Sequence, residues 1–277
     1  MIKPHEIPYT QANFNELQQL ANEHIGLALT DHKYSMVYNR LVKRVRDELG
    51  LASFAEYIHL LKTKPEQEMA AFINSITTNV TFFFRENHHF IFLKQVELPR
   101  ILRDKSGKNK IRIWSAGCST GEEPYSIAIA AQEVLTENST LEIIATDIDS
   151  QVLSLANKAI YPKAQVEKID IKRLKFAFLQ GTGKNADLVK VKPFIKKHVR
   201  FMRHNLLESR NHPEKFDIIF CRNVLIYFDQ EKKRAIVENF ADSLTSDGIL
   251  ILGHSESLYG VNDRFKHIDT TIYRKVK

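Results

Sequence analysis

Residues 111–123 read Ile-Arg-Ile-Trp-Ser-Ala-Gly-Cys-Ser-Thr-Gly-Glu-Glu. The apolar run predicts a short buried strand, the glycines a sharp turn, and Pro124 the opening of a helix. Lacking a Cβ, Gly117 and Gly121 let the backbone come close to a ligand. Their Gly-x-x-x-Gly spacing differs from the Gly-x-Gly-x-x-Gly that seats a pyrophosphate at a helix N-terminus. Glu122 and Glu123 stand where a phosphate would lie, so they repel an anion and favour a sulfonium, an amine or ribose hydroxyls. S-adenosylmethionine carries all three.

A second apolar run, Leu141 to Asp147, ends in an acid, and a helix follows around Ser150 to Ala159. A carboxylate at the carboxyl end of the second strand of a doubly wound sheet accepts the hydroxyls of a cofactor ribose. A lone Asp there could equally complement the helix dipole; paired with the Gly117–Gly121 turn, Asp147 is read as a ribose ligand. Other reactive types do not assemble. Cys118 and Cys221 are the only cysteines and are expected as packed, reduced thiols. His88 and His89, near Glu86, lack the spacing that puts two ligands on one helical face, so no metal is expected. Gly253-His-Ser-Glu-Ser257 lacks the second glycine of a nucleophile elbow.

The elements that must position these groups fall into two regions. From residue 10 to about 75 the apolar residues follow a helical period: Phe14, Leu17, Leu20, Ala21; Val37, Leu41, Val45, Leu49; Phe54, Tyr57, Ile58, Leu61. Gly50 closes one helix, Ser53 caps the next, and Pro65 separates the third from a fourth. From residue 110 strands are expected near 111–115, 141–146, 198–204, 216–221 and 248–253. Helical segments between them mark a mainly parallel, doubly wound α/β sheet. Phe265 to Val276 is expected to add one antiparallel strand. Lys168 to Lys197 interrupts the rhythm and reads as a small β insert, with a turn at Gly181-Thr-Gly183.

The net charge of +7 favours an acidic partner without choosing among nucleic acid, an anionic membrane surface and a Glu-rich protein. No apolar run reaches the roughly 20 residues that span a bilayer, and residues 1–6 do not read as a signal peptide, so a cytoplasmic location is expected.

Taken with Thr77-Thr-Asn-Val-Thr-Phe-Phe-Phe-Arg-Glu86, Asp31 to Arg44, Phe216 to Asp229 and Gly253 to Ser257, these motifs make the chain resemble the CheR family, the chemotaxis receptor glutamate O-methyltransferases. The resemblance covers nearly the whole length. It implies an N-terminal all-α helical domain (1–76), a linking segment (77–109) and a class I S-adenosylmethionine-dependent methyltransferase domain with a Rossmann-like sheet (110–277), into which a β subdomain (168–197) is inserted. By motif position it maps the cofactor site to Asn79, Thr81, Arg85, Glu122, Asp147, Asn205, Leu206, Asn223 and Val224, and places Arg85 and Tyr227 beside the transferred methyl. The product would be S-adenosylhomocysteine.

The residues themselves support these assignments to different degrees. Asn79 and Thr81 are expected to precede a helix carrying Phe82, Phe83, Phe84 and Phe90, where they would also serve as caps. A guanidinium beside three phenylalanines, Arg85, needs an anionic partner. Asn205 and Asn223 follow apolar strands, where a side-chain amide can bond an adenine edge or an amine, or form a turn. At Asn223 the chain has none of the prolines of amino-methylating DNA enzymes, and no nucleic-acid substrate is expected. Arg40, Lys43 and Arg44 share one helical face, read as docking the receptor methylation region. The Gly181-Thr-Gly183 turn resembles that of family members whose β insert binds a short aromatic and acidic receptor tail; the resemblance therefore implies that Gly181, Gly183, Lys190 and Lys192 hold such a tail as a strand added to the hairpin edge. The expected partner is the cytoplasmic domain of methyl-accepting chemotaxis receptors, visited by a monomer recruited to membrane receptor arrays without membrane insertion.

Overall fold

In a computed structural model the described residues are 7–104, 110–136, 139–209 and 214–276. The expected absence of a signal peptide at residues 1–6, and the end of the linking segment at 105–109, lie outside them. Contacts divide the chain into two units, one of residues 1–78 with Tyr227–Lys232, the other of Asn79–Ile226 with Lys233–Lys277.

The helical unit contains α1 (Gln11–Ile25), α2 (Tyr34–Lys43), α3 (Phe54–Thr63) and α4 (Pro65–Ile76). Phe14, Leu17, Val37, Leu41, Val45, Phe54 and Tyr57 are fully buried, as the 3.6-residue period requires; Leu49 is half-buried. Ser53 accepts from the Glu56 N–H, and Pro65 opens α4. Two of the three cations expected to dock a partner are used inside this unit. Arg40 donates from Nη1 to the carbonyls of Ile76 (3.0 Å) and Thr77 (2.7 Å), closing the end of α4. Arg44 forms an ion pair with the buried Glu68 (Nη2–Oε2 2.6 Å), which also accepts from the Tyr57 hydroxyl at 2.9 Å. Lys43 alone is exposed.

In the second unit, α5 (His88–Phe92) and α6 (Leu98–Asp104) precede β1 (Lys110–Ala116), α7 (Glu122–Gln132), β2 (Thr140–Asp147) and α8 (Ser150–Lys158). The insert follows with β3 (Ile160–Pro162), α9 (Ile171–Ala177), β4 (Phe178–Gln180), β5 (Leu188–Val191) and α10 (Pro193–Lys196). The main sheet resumes at β6 (Val199–Arg203) and β7 (Phe216–Cys221), then α11 (Gln230–Ser243), β8 (Leu244–Leu252), β9 (Phe265–Asp269) and β10 (Ile272–Lys275). Its order is β6-β2-β1-β7-β8-β10-β9, parallel from β6 to β8 and antiparallel beyond. The chain runs outward from β1 to one edge and returns to β7 on the other side of β1. The carboxyl ends of β1 and β7 therefore form a topological switch point, where open α/β sheets bind ligands.

Two expectations need correction. Phe265 to Val276 forms a two-stranded hairpin rather than one strand, and the later strand β10 is the one that joins β8. The insert begins at Ile160 rather than Lys168, because Ile160 to Pro162 pairs with Leu188 to Lys190 in a three-stranded antiparallel sheet, order β3-β5-β4. Three residues are too few for alternation to reveal a strand. In this subdomain Gly181 packs on the Asn185 carbonyl, Lys190 is exposed, and the Lys192 ammonium donates to the Lys175 carbonyl at 2.6 Å.

Candidate active site

Strand β1 ends in the glycine turn, and β2 holds that turn in place. The N–H groups of Gly117 and Cys118 both donate to the Thr146 carbonyl, at 2.8 and 2.9 Å. Gly117 has φ +84° and Gly121 φ +97°, conformations that a Cβ strains. The Asp147 carboxylate takes the Ser119 N–H on one oxygen (2.8 Å) and the Asp149 N–H on the other (3.0 Å). Burial pushes its pKa above the usual carboxylate range despite these bonds.

Glu122 opens α7 and is buried, its pKa raised by desolvation, with the Thr120 hydroxyl donating to Oε2 at 2.6 Å. Glu123 does not share this role. It takes the Ser115 hydroxyl at 2.7 Å and pairs with Arg222 at 3.1 Å, so a single glutamate, not two, remains at the turn for a ligand. Neither Glu122 nor Asp147 forms an ion pair among the described residues. Carboxylates held largely out of water without a cation, Glu122 buried and Asp147 half-buried, are costly, and a ligand offering hydroxyls, an amine and a sulfonium meets that need. The turn, with no Cβ at Gly117, and these two acids therefore fit S-adenosylmethionine.

The linking segment differs from expectation. Phe82, Phe83 and Phe84 lie in an irregular turn, with Phe84 at φ +56° and Glu86 at φ +55°, and α5 starts only at His88. Tertiary contacts override helix formation here. Phe83 is buried edge-on against Tyr161 (4.9 Å) and Phe178 (5.2 Å), and the Phe84 N–H donates to Ser126 Oγ. Asn79 does not cap a helix. Its amide donates to Asp149 Oδ2 at 2.9 Å and its carbonyl accepts from Ser119 Oγ at 2.9 Å, joining the segment to the glycine turn. Thr81 is half-buried. Arg85 donates to the Val80 carbonyl at 3.0 Å and lies 3.9 Å from Glu86, with 31% of its side chain exposed.

Beyond β7 the chain reaches two residues, Arg222 and Glu256, whose roles were not legible in the sequence. Arg222 is buried between Glu123 and Glu86 (3.3 Å) and donates to the Arg85 carbonyl, fixing the backbone of that residue. Burial works against charge on Glu86. The Arg222 guanidinium, the His254 N–H and the Asn223 amide outweigh it and hold the Glu86 carboxyl below its usual range. Burial, then Arg222, drives the His89 pKa down to about 2, so this packed histidine stays neutral. Glu256, in the segment considered only as a failed nucleophile elbow, accepts four backbone N–H groups. Oε2 takes Asn223 (2.7 Å) and Gly253 (2.6 Å); Oε1 takes Val224 (3.0 Å) and Ile226 (3.3 Å). That carboxylate holds Asn223 at φ +60° and sets Val224 against Gly117.

The structure thus gathers Asn79, Asp147, the glycine turn with Glu122, and Asn223–Val224 at the carboxyl ends of β1, β2 and β7. Asn205 and Leu206 follow β6. The neighbouring His204 N–H donates to the Asp147 carbonyl at 3.0 Å, Asn205 Oδ1 accepts from Leu207 as a turn residue, and Leu206 is buried. Tyr227 groups with the helical unit, where its carbonyl accepts from the Ala28 N–H at 2.8 Å.

The pattern of the CheR methyltransferase SAM binding domain matches residues 79–274, and that of the CheR methyltransferase all-alpha domain matches residues 12–77. A chemotaxis protein methyltransferase of Escherichia coli is 42% identical over 95% of this chain and 91% of its own. That of Salmonella typhimurium is 40% identical over 95% and 90%, and chemotaxis protein methyltransferase 2 of Pseudomonas aeruginosa is 38% identical over 97% and 94%. With both domains matched in order and a switch-point site suited to the cofactor, the chain belongs to the CheR family of S-adenosylmethionine-dependent methyltransferases.

Proposed function

We propose that this protein methylates glutamate side chains of methyl-accepting chemotaxis receptors, giving glutamate methyl esters and S-adenosylhomocysteine in bacterial chemotactic adaptation. The observation that carries this reading is the match to chemotaxis protein methyltransferases over nearly the full length, helical domain included. When bound, S-adenosylmethionine supplies an electrophilic methyl on a sulfonium.

Glu122 and Asp147 would hold the cofactor by accepting its hydroxyl and amine protons, with Asn79, Thr81, Asn205, Leu206, Asn223 and Val224 around it. A glutamate with an ordinary pKa near 4.3 is already ionised at neutral pH, so the acceptor needs no general base. The remaining task is to align and desolvate the carboxylate. Arg85, with a partly exposed guanidinium, would pair with a cofactor or substrate carboxylate, and Tyr227 would orient the acceptor. Arg85→Ala or Tyr227→Phe is expected to lower kcat at least tenfold with unchanged melting; wild-type rates in both would remove them from the mechanism.

Receptor docking at the helical unit is proposed for Lys43, with Arg40 and Arg44 holding that face in shape. The Gly181–Gly183 turn with Lys190 and Lys192 is proposed to receive an acidic receptor tail. Labelled methyl from S-adenosylmethionine, offered to receptor-containing membranes and separately to DNA and RNA, tests the whole. Receptor label released by mild alkali as methanol supports a carboxyl ester; alkali-stable label on nucleic acid overturns it.

A further inference from the structure

We propose that the inserted subdomain adsorbs to anionic lipid headgroups through the exposed face of α9. Residues 158–203 carry thirteen Lys and Arg against three Asp and Glu, a net +10. The whole chain carries +7, so the rest of it sums to −3. Ten of the thirteen cations are exposed. Such segregation creates a strong local field toward any polyanion.

The apolar side chains set among these cations decide between partners. At 100° per residue, Ile171, Lys172, Lys175 and Phe176 share one face of α9, and all four are exposed, Ile171 at 63% and Phe176 at 37%. The insert's sheet repeats the pattern: Ile160, Lys190 and Leu179 are cross-strand neighbours, and all are exposed. Exposed apolar groups such as Ile171 and Phe176 gain nothing from a phosphodiester backbone. They gain by leaving water at the boundary between headgroups and acyl chains, while lysines keep their ammonium groups at the phosphates. A second copy of this face would meet like charge. A short acidic peptide added to a sheet edge would not call on the α9 face. No helix among the described residues is long and apolar enough to cross a membrane, so the contact is adsorption.

The test is co-sedimentation of the full chain with receptor-free vesicles of phosphatidylcholine, with and without phosphatidylglycerol. Binding is expected only to the anionic vesicles and falls as salt rises. Lys172→Glu with Lys175→Glu should lower partitioning about tenfold or more. Ile171→Ser with Phe176→Ser keeps every cation; it should weaken vesicle binding several-fold and leave duplex DNA binding unchanged. These positions are exposed, and unchanged melting verifies the fold. Equal binding to neutral and anionic vesicles, no vesicle binding, or vesicle binding by the Ile171→Ser, Phe176→Ser variant equal to that of the parent would overturn the proposal. The last result would make the face a general polyanion or acidic-peptide site. Glutamate methylation is not assumed, so its failure would leave this inference standing.

Discussion

Gly117 has no room for a β-carbon, which would lie well inside van der Waals contact of Val224 Cγ2. The turn after β1 and the loop after β7 therefore pack too closely for a side chain at Gly117. Gly117→Ala adds a steric clash to a φ of +84°, at a combined cost of about 1–3 kcal/mol. It should push Val224 away and weaken S-adenosylhomocysteine binding at least tenfold in calorimetry. Parental affinity in a folded variant would show that the turn and the loop do not form the cofactor cradle.

Glu256→Gln replaces one acceptor oxygen with an amide N–H facing two backbone N–H groups. Leaving buried donors unpaired costs about 1–3 kcal/mol each. Both the melting temperature and the cofactor affinity should fall, while kcat at saturating cofactor changes less than KM. A drop in melting with unchanged affinity would reduce Glu256 to a purely structural role.

Glu122 and Asp147 have pKa values raised by burial. Protonating them favours the folded apo protein. That contribution is fully present below their unfolded pKa values and is lost as pH rises through the higher folded ones. Cofactor binding has the opposite sign, because only the ionised carboxylates accept hydroxyl protons and attract a cation. Titration calorimetry from about pH 8 to about pH 5 should show affinity falling on acidification before the ordinary carboxylate range near 4 is reached. Asp147→Asn with Glu122→Gln should flatten the profile and lower the neutral-pH affinity.

Arg40 and Lys43 should separate stability from docking. Arg40→Ala removes the hydrogen bonds that close α4 and should destabilise the helical unit by about 1–3 kcal/mol in thermal melting. Arg44→Ala leaves the buried Glu68 without its cation and should cost about 2 kcal/mol or more. Lys43→Glu should leave melting unchanged and raise the KM for receptor. Unchanged melting in Arg40→Ala would contradict the capping role.

The sequence by itself determined the five parallel strands of the main sheet and the helices of the bundle, but not that the last segment is a two-stranded hairpin. Ile111 to Ala116 is buried along its whole length, as expected for a mainly apolar run covered on both faces; its two polar residues, Arg112 and Ser115, are paired to Glu142 and Glu123. It also determined that a glycine turn follows the first strand at Gly117 to Gly121 and that an acid, Asp147, ends the second, because a positive φ favours glycine and the end of a strand is a fixed place. Tertiary structure decided what depends on partners distant in the chain. Glu123 faces Arg222 instead of a ligand, Phe82 to Phe84 turn instead of coiling into a helix, and Arg40 and Arg44 serve their own unit. Glu256 escaped a local reading for the same reason: three of its four N–H partners lie 30 to 33 residues away. A carboxylate's role is set by the donors and cations that folding brings to it, and spacing along the chain carries that information only where those groups are near in sequence.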